Sequence, residues 1–398
     1  MKLSEKCEKI QGSVTLAIDA KAKAMRAQGE DVISFGAGEP DFDTPQYIID
    51  AAIEALKTGK TKYTAAAGLP DLRQKVSEHV SKRLGIEVKP ENVVISTGAK
   101  QALFNALQVL LNPGDEVLIL KPYWVSYPEL VKMADGVPVF VDTDEENNFA
   151  LKLDKLERAL TEKTKAIILN SPSNPSGVVF KESEIRAIGE FSQKNDLFII
   201  SDEIYDTLVY DGEKHFSVCT INEDIKNRTI LINGMSKAYA MTGWRMGYSV
   251  CDAKIAKIMA SYQSHATGNP NTITQYATLA ALSNENTEFD KMYTEFDKRR
   301  KFAVKAVNEI EGACAAMPKG AFYVMVNIKK VFGKKYNGVK IENSMDFAQM
   351  LLEAEKTAVV PGGPFGAEGY IRLSYATSME NIEKGIARIK KFIEEDIC

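Results

Sequence analysis

The sequence predicts an α/β protein. Its large domain is built on a mostly parallel seven-stranded sheet flanked by helices, and a smaller α+β domain is built from the C-terminal part and the N-terminal segment. Three observations carry this. Seven short apolar runs fall between Glu91 and Val250: Val93 to Ser96, Glu116 to Leu120, Val137 to Val141, Ala166 to Leu169, Leu197 to Ile200, Thr229 to Ile232, and Arg245 to Val250. Runs that are apolar almost throughout are strands buried on both faces, and helical patterns separate them, which is the layout of a parallel α/β sheet. The length, 398 residues, exceeds one ordinary core and favours a large domain plus a small one.

Taken in order, the first forty residues carry too little core patterning to fold alone, so residues 1–45 are expected to pack with the small domain. Residues 46–285 are expected to form the large domain and residues 286–398 the small C-terminal one. After Cys251 the pattern turns helical, and the charged stretch from Thr287 to Glu311 predicts an exposed helix leading into the small domain. Phe322 to Ile328, Thr357 to Val360 and Tyr370 to Ser374 read as strands, and Met379 to Ile393 as a closing amphipathic helix. No internal repeat or low-complexity linker interrupts this order, and the stretch before the α/β core leaves no room for a helix-turn-helix module.

Composition removes several classes of function. The hydrophobic fraction of 45% and charged fraction of 26% are those of a globular protein. A net charge of −4 supplies no broad positive field, so neither nucleic acid nor an anionic membrane surface is an expected partner. The five cysteines are scattered and show no CxxC spacing, which suggests neither a disulfide framework nor a metal site and fits a reducing cytoplasm. Charges interrupt every apolar run near the N-terminus, and no run reaches the ~18 apolar residues that span a bilayer, so neither secretion nor membrane insertion is expected.

The chemistry-bearing residues cluster where the predicted strands end. Lys237, in SKAYAMTGWRMGY, follows the run Thr229 to Ile232, and open α/β sheets bind ligands outside the carboxyl ends of their strands. Burial there favours the neutral amine that Schiff-base chemistry needs. An isolated lysine would read as a solvated loop residue. Ser236 beside it and Arg245 eight residues on supply a hydroxyl and a guanidinium suited to the phosphate of a cofactor bonded to that lysine.

Asp202 and Tyr205 stand in LFIISDEIYD, a buried-strand pattern that ends abruptly in acid. Such a carboxylate can keep a pyridine nitrogen protonated, with Tyr205 on the phenolic oxygen of the same ring; a solvated helix cap is the alternative. In VVISTGAKQALFNAL a strand turns through Thr97, Gly98 and Ala99 into a helix, whose N-terminal N–H groups suit a phosphate, and Lys100 adds positive charge there. Asn174 lies on the proline-stiffened loop NSPSNPSG, within reach of a cofactor oxygen or simply in a turn. Trp124 is suited either to stacking on a planar ring or to core packing. Arg372, alternating with apolar neighbours in YIRLSYA, requires an anionic partner, which is either a substrate carboxylate or an internal Asp or Glu.

Together these residues resemble the class I aminotransferases of the aspartate aminotransferase superfamily, which are fold type I pyridoxal-phosphate enzymes. The resemblance runs nearly the whole length, through GAGEPDFDTP, KYTAAAGLPDLR, STGAKQAL, PYWVSYPE, NSPSNPSG, SDEIYD, SKAYAMTGWRMGY and YIRLSYA in the family's order. It implies pyridoxal 5′-phosphate held by Lys237 as a Schiff base, with Lys237 also moving the substrate proton. Asp202 would pair with the ring nitrogen, Tyr205 and Asn174 would contact the phenolic oxygen, and Trp124 would stack on the ring. Gly98, Ala99, Ser236 and Arg245 would hold the phosphate, joined by Tyr63 from a partner subunit, which implies a homodimer with shared active sites. Arg372, Asn174 and the backbone of Gly38 would bind the α-carboxylate.

For the substrate's far end, SYQSHATGNPNTIT lacks the arginine that better-known aspartate aminotransferases supply from the partner chain. The chain is similar instead to a bacterial subgroup that uses the phosphate-loop lysine with N-terminal hydroxyls, which here implies Lys100, Ser13 and Thr15. L-Aspartate with 2-oxoglutarate, exchanged by a ping-pong mechanism, is the pair this implies. A same-fold aminotransferase for aromatic acids or prephenate, a carbon–sulfur β-lyase, and a non-catalytic regulator reusing the fold are the alternatives.

Overall fold

The computed structural model describes residues 2–8 and 10–398. The seven apolar runs form one sheet: β1 Val93–Ser96, β2 Glu116–Leu120, β3 Val137–Val141, β4 Thr164–Asn170, β5 Phe198–Asp202, β6 Thr229–Gly234 and β7 Gly247–Val250. Their order across the sheet is β1-β7-β6-β5-β4-β2-β3. Strands β6, β5, β4, β2 and β3 run parallel, while β7 is antiparallel to both neighbours. Side chains from both faces enter separate apolar cores, Ile168, Ile200 and Ile232 in one and Leu118, Ile167 and Ile199 in another, which is why these strands lack polar alternation. Only the edge strand β3 departs from this, exposing Val137 and Phe140.

Register fixes what meets at the carboxyl edge. Asn170 at the end of β4 lies beside Asp202 at the end of β5, and Asp202 lies beside Ile232 of β6, five residues before Lys237. Strand β7 begins two residues later than the predicted run from Arg245. Arg245 adopts φ 55°, and a Cβ on Gly247 would stand 2.2 Å from the backbone nitrogen of Ala99, so this segment folds as a tight contact against the neighbouring turn before it pairs.

The predicted exposed helix, observed as Phe289–Val307, is exposed on one face only: Lys291, Lys298 and Lys305 face solvent, but Phe296 and Arg300 are fully buried and Arg299 nearly so. Charge concealed this from sequence reading, because each arginine is neutralised inside the fold. Arg299 pairs with Asp41 and Glu295, and Arg300 with Asp211 and Asp297. The run from Thr357 to Val360 also divides. Thr357–Ala358 pairs in parallel with Ile33–Ser34, tying the N-terminal segment to the C-terminal part, while Val360–Pro361 joins a second, antiparallel sheet. In that sheet β8 Tyr323–Asn327 pairs with β9 Tyr370–Ser374, setting Arg372 opposite Met325. The closing amphipathic helix spans Met379–Lys391. No helix among the described residues is long and apolar enough to cross a membrane.

Candidate active site

A cavity of about 480 Å³ opens at the carboxyl ends of β4, β5 and β6. Lys237, Asp202, Tyr205, Asn174, Ser236 and Arg245 reach it from the sheet, Trp124 from the turn after β2, and Arg372 from β9. Gly38, in the loop after Ile33–Ser34, closes one wall.

Lys237 is held by its ammonium, which donates to the Gly38 carbonyl, and its Nζ sits 5.5 Å from the Phe322 ring centroid and 5.7 Å from that of Tyr205. Burial pushes its pKa down to about 8; Arg245 and Arg372 add to this, while Glu39 and Asp202 oppose it. Asp202 is only 3% exposed, so it is not a solvated helix cap. Burial raises its pKa to about 6, against the Tyr127 hydroxyl that donates to Oδ2 at 2.7 Å and the Ile204 N–H that donates to Oδ1 at 3.3 Å.

Beside these lies an anion cradle. The helix Ala99–Leu110 starts at Gly98, whose φ of 83° suits glycine, and a Cβ there would meet the Arg245 guanidinium at 2.5 Å. The first N–H groups of this helix, on Ala99 and Lys100, have no acceptor among the described residues. Ser236 and Arg245 stand at the same cavity, with Arg245 anchored on the Thr242 carbonyl at 2.8 Å.

Arg372 is 1% exposed, and among the described residues no carboxylate pairs with it. That removes the internal Asp or Glu. Its guanidinium donates to Asn174 Oδ1 and to the Gly36 carbonyl, each at 2.9 Å, and Nε has no partner. A buried, uncompensated guanidinium is costly, so this one is built to receive an anion. Among the described residues Lys100 is likewise without an ion pair; its Nζ lies 4.7 Å from the centroid of Trp124, and burial lowers its pKa. Ser13 and Thr15 line the same cavity with their hydroxyls 3.1 Å apart. Gly98 caps the helix behind the cavity without lining it, and Tyr63 is 97% exposed and stands apart from these residues.

Residues 30–389 match the family model of aminotransferase class I and II. The chain belongs to this family. It is 45% identical to the aspartate aminotransferase of Bacillus subtilis over 99% of its own length and all of that protein. It is also 45% identical to a probable aspartate/prephenate aminotransferase of Aquifex aeolicus, over 99% of each chain. Among solved structures it resembles that of the aspartate aminotransferase from Thermus thermophilus with maleate, with a TM-score of 0.93 and 41% identity over 98% of this chain and 99% of that one.

The cofactor of these aminotransferases is pyridoxal phosphate, and the residues present fit it. A lysine of lowered pKa supplies the amine, a buried carboxylate faces the position of a ring nitrogen, and unpaired helix N–H groups with a guanidinium suit a phosphate. Sequence reasoning missed part of this aminotransferase's site. Tyr127 stands three residues after Trp124, its N–H donating to the Trp124 carbonyl at 2.9 Å, and the two rings pack edge to face. Tyr323 bonds the Tyr205 hydroxyl at 2.9 Å, and nothing in its motif marked it. Gln263 is fully buried and ties together Ser96, Asn105 and the carbonyls of Ile95 and Ala66, bracing the cradle's strand and helix. A helical glutamine ordinarily reads as a surface residue, so sequence gave no signal for it.

Proposed function

We propose that this aminotransferase exchanges the amino group of L-aspartate with 2-oxoglutarate, giving oxaloacetate and L-glutamate by a ping-pong mechanism. The observation that carries this is that two cations without carboxylate partners among the described residues, Arg372 and Lys100, line the cavity that also holds Lys237 and Asp202. A substrate with two carboxylates matches two such cations. Arg372, with Asn174 and the Gly38 backbone, takes the α-carboxylate, and Lys100, with Ser13 and Thr15, takes the distal one.

When bound, pyridoxal phosphate supplies the carbonyl that condenses with amines and the ring that draws electrons away from the substrate Cα. The chain's own residues do the rest. Lys237 is the covalent anchor. Once the substrate amine displaces it from the cofactor, its free Nζ would take and return the Cα proton. Asp202 holds the ring nitrogen protonated, and Tyr127 fixes that carboxylate in place. Tyr205 and Asn174 bind the phenolic oxygen, and Trp124 covers the ring face. The backbone N–H groups of Ala99 and Lys100, with Ser236 and Arg245, would hold the phosphate, and Gly98 would turn the chain into that helix.

Tyr63, almost fully exposed in one chain, would reach the phosphate of a partner subunit, which makes the proposed working unit a homodimer; the cytoplasm is the proposed compartment. Residues 46–285 act as the cofactor-holding domain, and residues 286–398, with 1–45, as the smaller one. The name of the Aquifex relative supports a second reading, in which prephenate is also an acceptor. The test is oxaloacetate formation from L-aspartate and 2-oxoglutarate, run beside pyruvate release from cystathionine. Abundant pyruvate without oxaloacetate would exclude the proposal in favour of a β-lyase.

A further inference from the structure

Tyr205 does not stand alone at the cavity. Its hydroxyl oxygen lies 2.9 Å from that of Tyr323, both side chains are buried, and the Tyr323 hydroxyl has no other hydrogen-bond partner among the described residues. The Tyr323 ring in turn lies under Arg372, whose guanidinium carbon is 4.4 Å from the ring centroid, and the two rings meet at 80° with centroids 5.8 Å apart. Arg372 of β9 lies opposite Met325, which makes Tyr323, two residues along β8, its diagonal neighbour on the same face, so this stack is fixed by sheet register and not by a mobile loop.

We infer that Tyr323 is a positioning residue that links carboxylate binding at Arg372 to the proton affinity of the cofactor through Tyr205. The inference rests on the reading that Tyr205 contacts the cofactor's phenolic oxygen. With the Tyr205 O–H directed at that acceptor, only Tyr323 can donate in the bond between the two tyrosines. Donation from Tyr323 polarises the Tyr205 hydroxyl and strengthens its bond to an anionic phenolic oxygen. The guanidinium over its face withdraws electron density from the Tyr323 ring and makes it a better donor. A carboxylate arriving at Arg372 offsets that charge, weakens the donation, and raises the proton affinity at the cofactor. Lys237 then meets a bound amino acid under conditions that differ from those of the empty site.

The experiment titrates the absorbance of the holoenzyme with pH, alone and with saturating maleate, an unreactive dicarboxylate. It uses the parent, Tyr323→Phe, Tyr205→Phe and the double variant. Tyr323→Phe removes one oxygen and keeps the ring under Arg372. It is expected to raise the midpoint by about 0.5 to 1 pH unit, the effect of one modest hydrogen bond. It should also shrink the upward shift caused by maleate and add nothing once Tyr205 is phenylalanine. If Tyr205→Phe moves the midpoint and Tyr323→Phe moves neither midpoint nor maleate response, the relay is overturned while the role of Tyr205 stands. If Tyr205→Phe leaves the midpoint in place, the contact between Tyr205 and the cofactor fails and the relay falls with it. A Tyr323→Phe effect that persists at full size beside Tyr205→Phe overturns the route through Tyr205. A purely structural role for Tyr323 would change turnover without moving the midpoint.

Discussion

Replacing Lys100 by methionine tests the choice of substrate. Methionine keeps the unbranched stem beside Trp124 and removes only the charge. Because Lys100 has no ion pair among the described residues, its loss leaves none of their acids stranded. A charge-assisted hydrogen bond to a distal carboxylate contributes about 1.5 to 3 kcal/mol, which corresponds to roughly 10- to 150-fold in kcat/KM for aspartate. Loss of the ammonium over the indole face, about 0.5 to 1 kcal/mol, affects every substrate and costs alanine only about 2- to 5-fold. The aspartate-to-alanine ratio should therefore fall by at least about tenfold. Single-turnover half-reactions followed by absorbance, with each amino acid at several concentrations, measure that ratio directly. A ratio unchanged within about twofold would refute the assignment of Lys100 to the distal carboxylate.

Tyr127→Phe removes the hydroxyl bond to Asp202 and should lower kcat/KM by about 10- to 100-fold with little change in melting temperature; steady-state kinetics beside calorimetry checks both. Gln263→Leu strands the buried hydroxyl and amide of Ser96 and Asn105 and two carbonyls, so urea denaturation should show a loss of about 3 to 5 kcal/mol. A loss under about 1 kcal/mol would mean that the brace is not where stability resides. Lys237 has its pKa pushed down to about 8, so its amine gains the neutral form as pH rises toward that value. Capture of pyridoxal phosphate by the apoenzyme should then accelerate by up to about tenfold per pH unit below the midpoint and level off above it. Levelling only above about pH 10 would show that burial does not set the reactivity of Lys237.

Much of this was legible in the chain. The sheet was readable because its strands are apolar on both faces, and the chemical residues followed because α/β folds gather them where strands end. Lys237 and Asp202 announced themselves as polar residues ending apolar runs. Partners that act from other elements gave no such signal. Tyr323 meets Tyr205 across 118 positions, and Gln263 meets Ser96 across 167, so sequence spacing carries no trace of either pair. Arg299 and Arg300 misled for a related reason. Two adjacent arginines in a charged helix look solvated; their local partners Glu295 and Asp297 are readable, but the distant Asp41 and Asp211 that complete their neutralisation inside the fold are not. Arg372 shows the reverse case. Its burial was readable, and the missing carboxylate partner became visible only when β9 was placed against β8.

Lys237 as the covalent anchor is the central claim about this enzyme. Borohydride reduction of the holoenzyme, followed by peptide mass spectrometry, fixes the cofactor to whichever lysine carries it. The prediction is a single modified peptide containing Lys237, and no modified peptide after Lys237→Ala. Cofactor found on Lys100 or another lysine, or retained at parent levels in the Lys237→Ala protein, would contradict it.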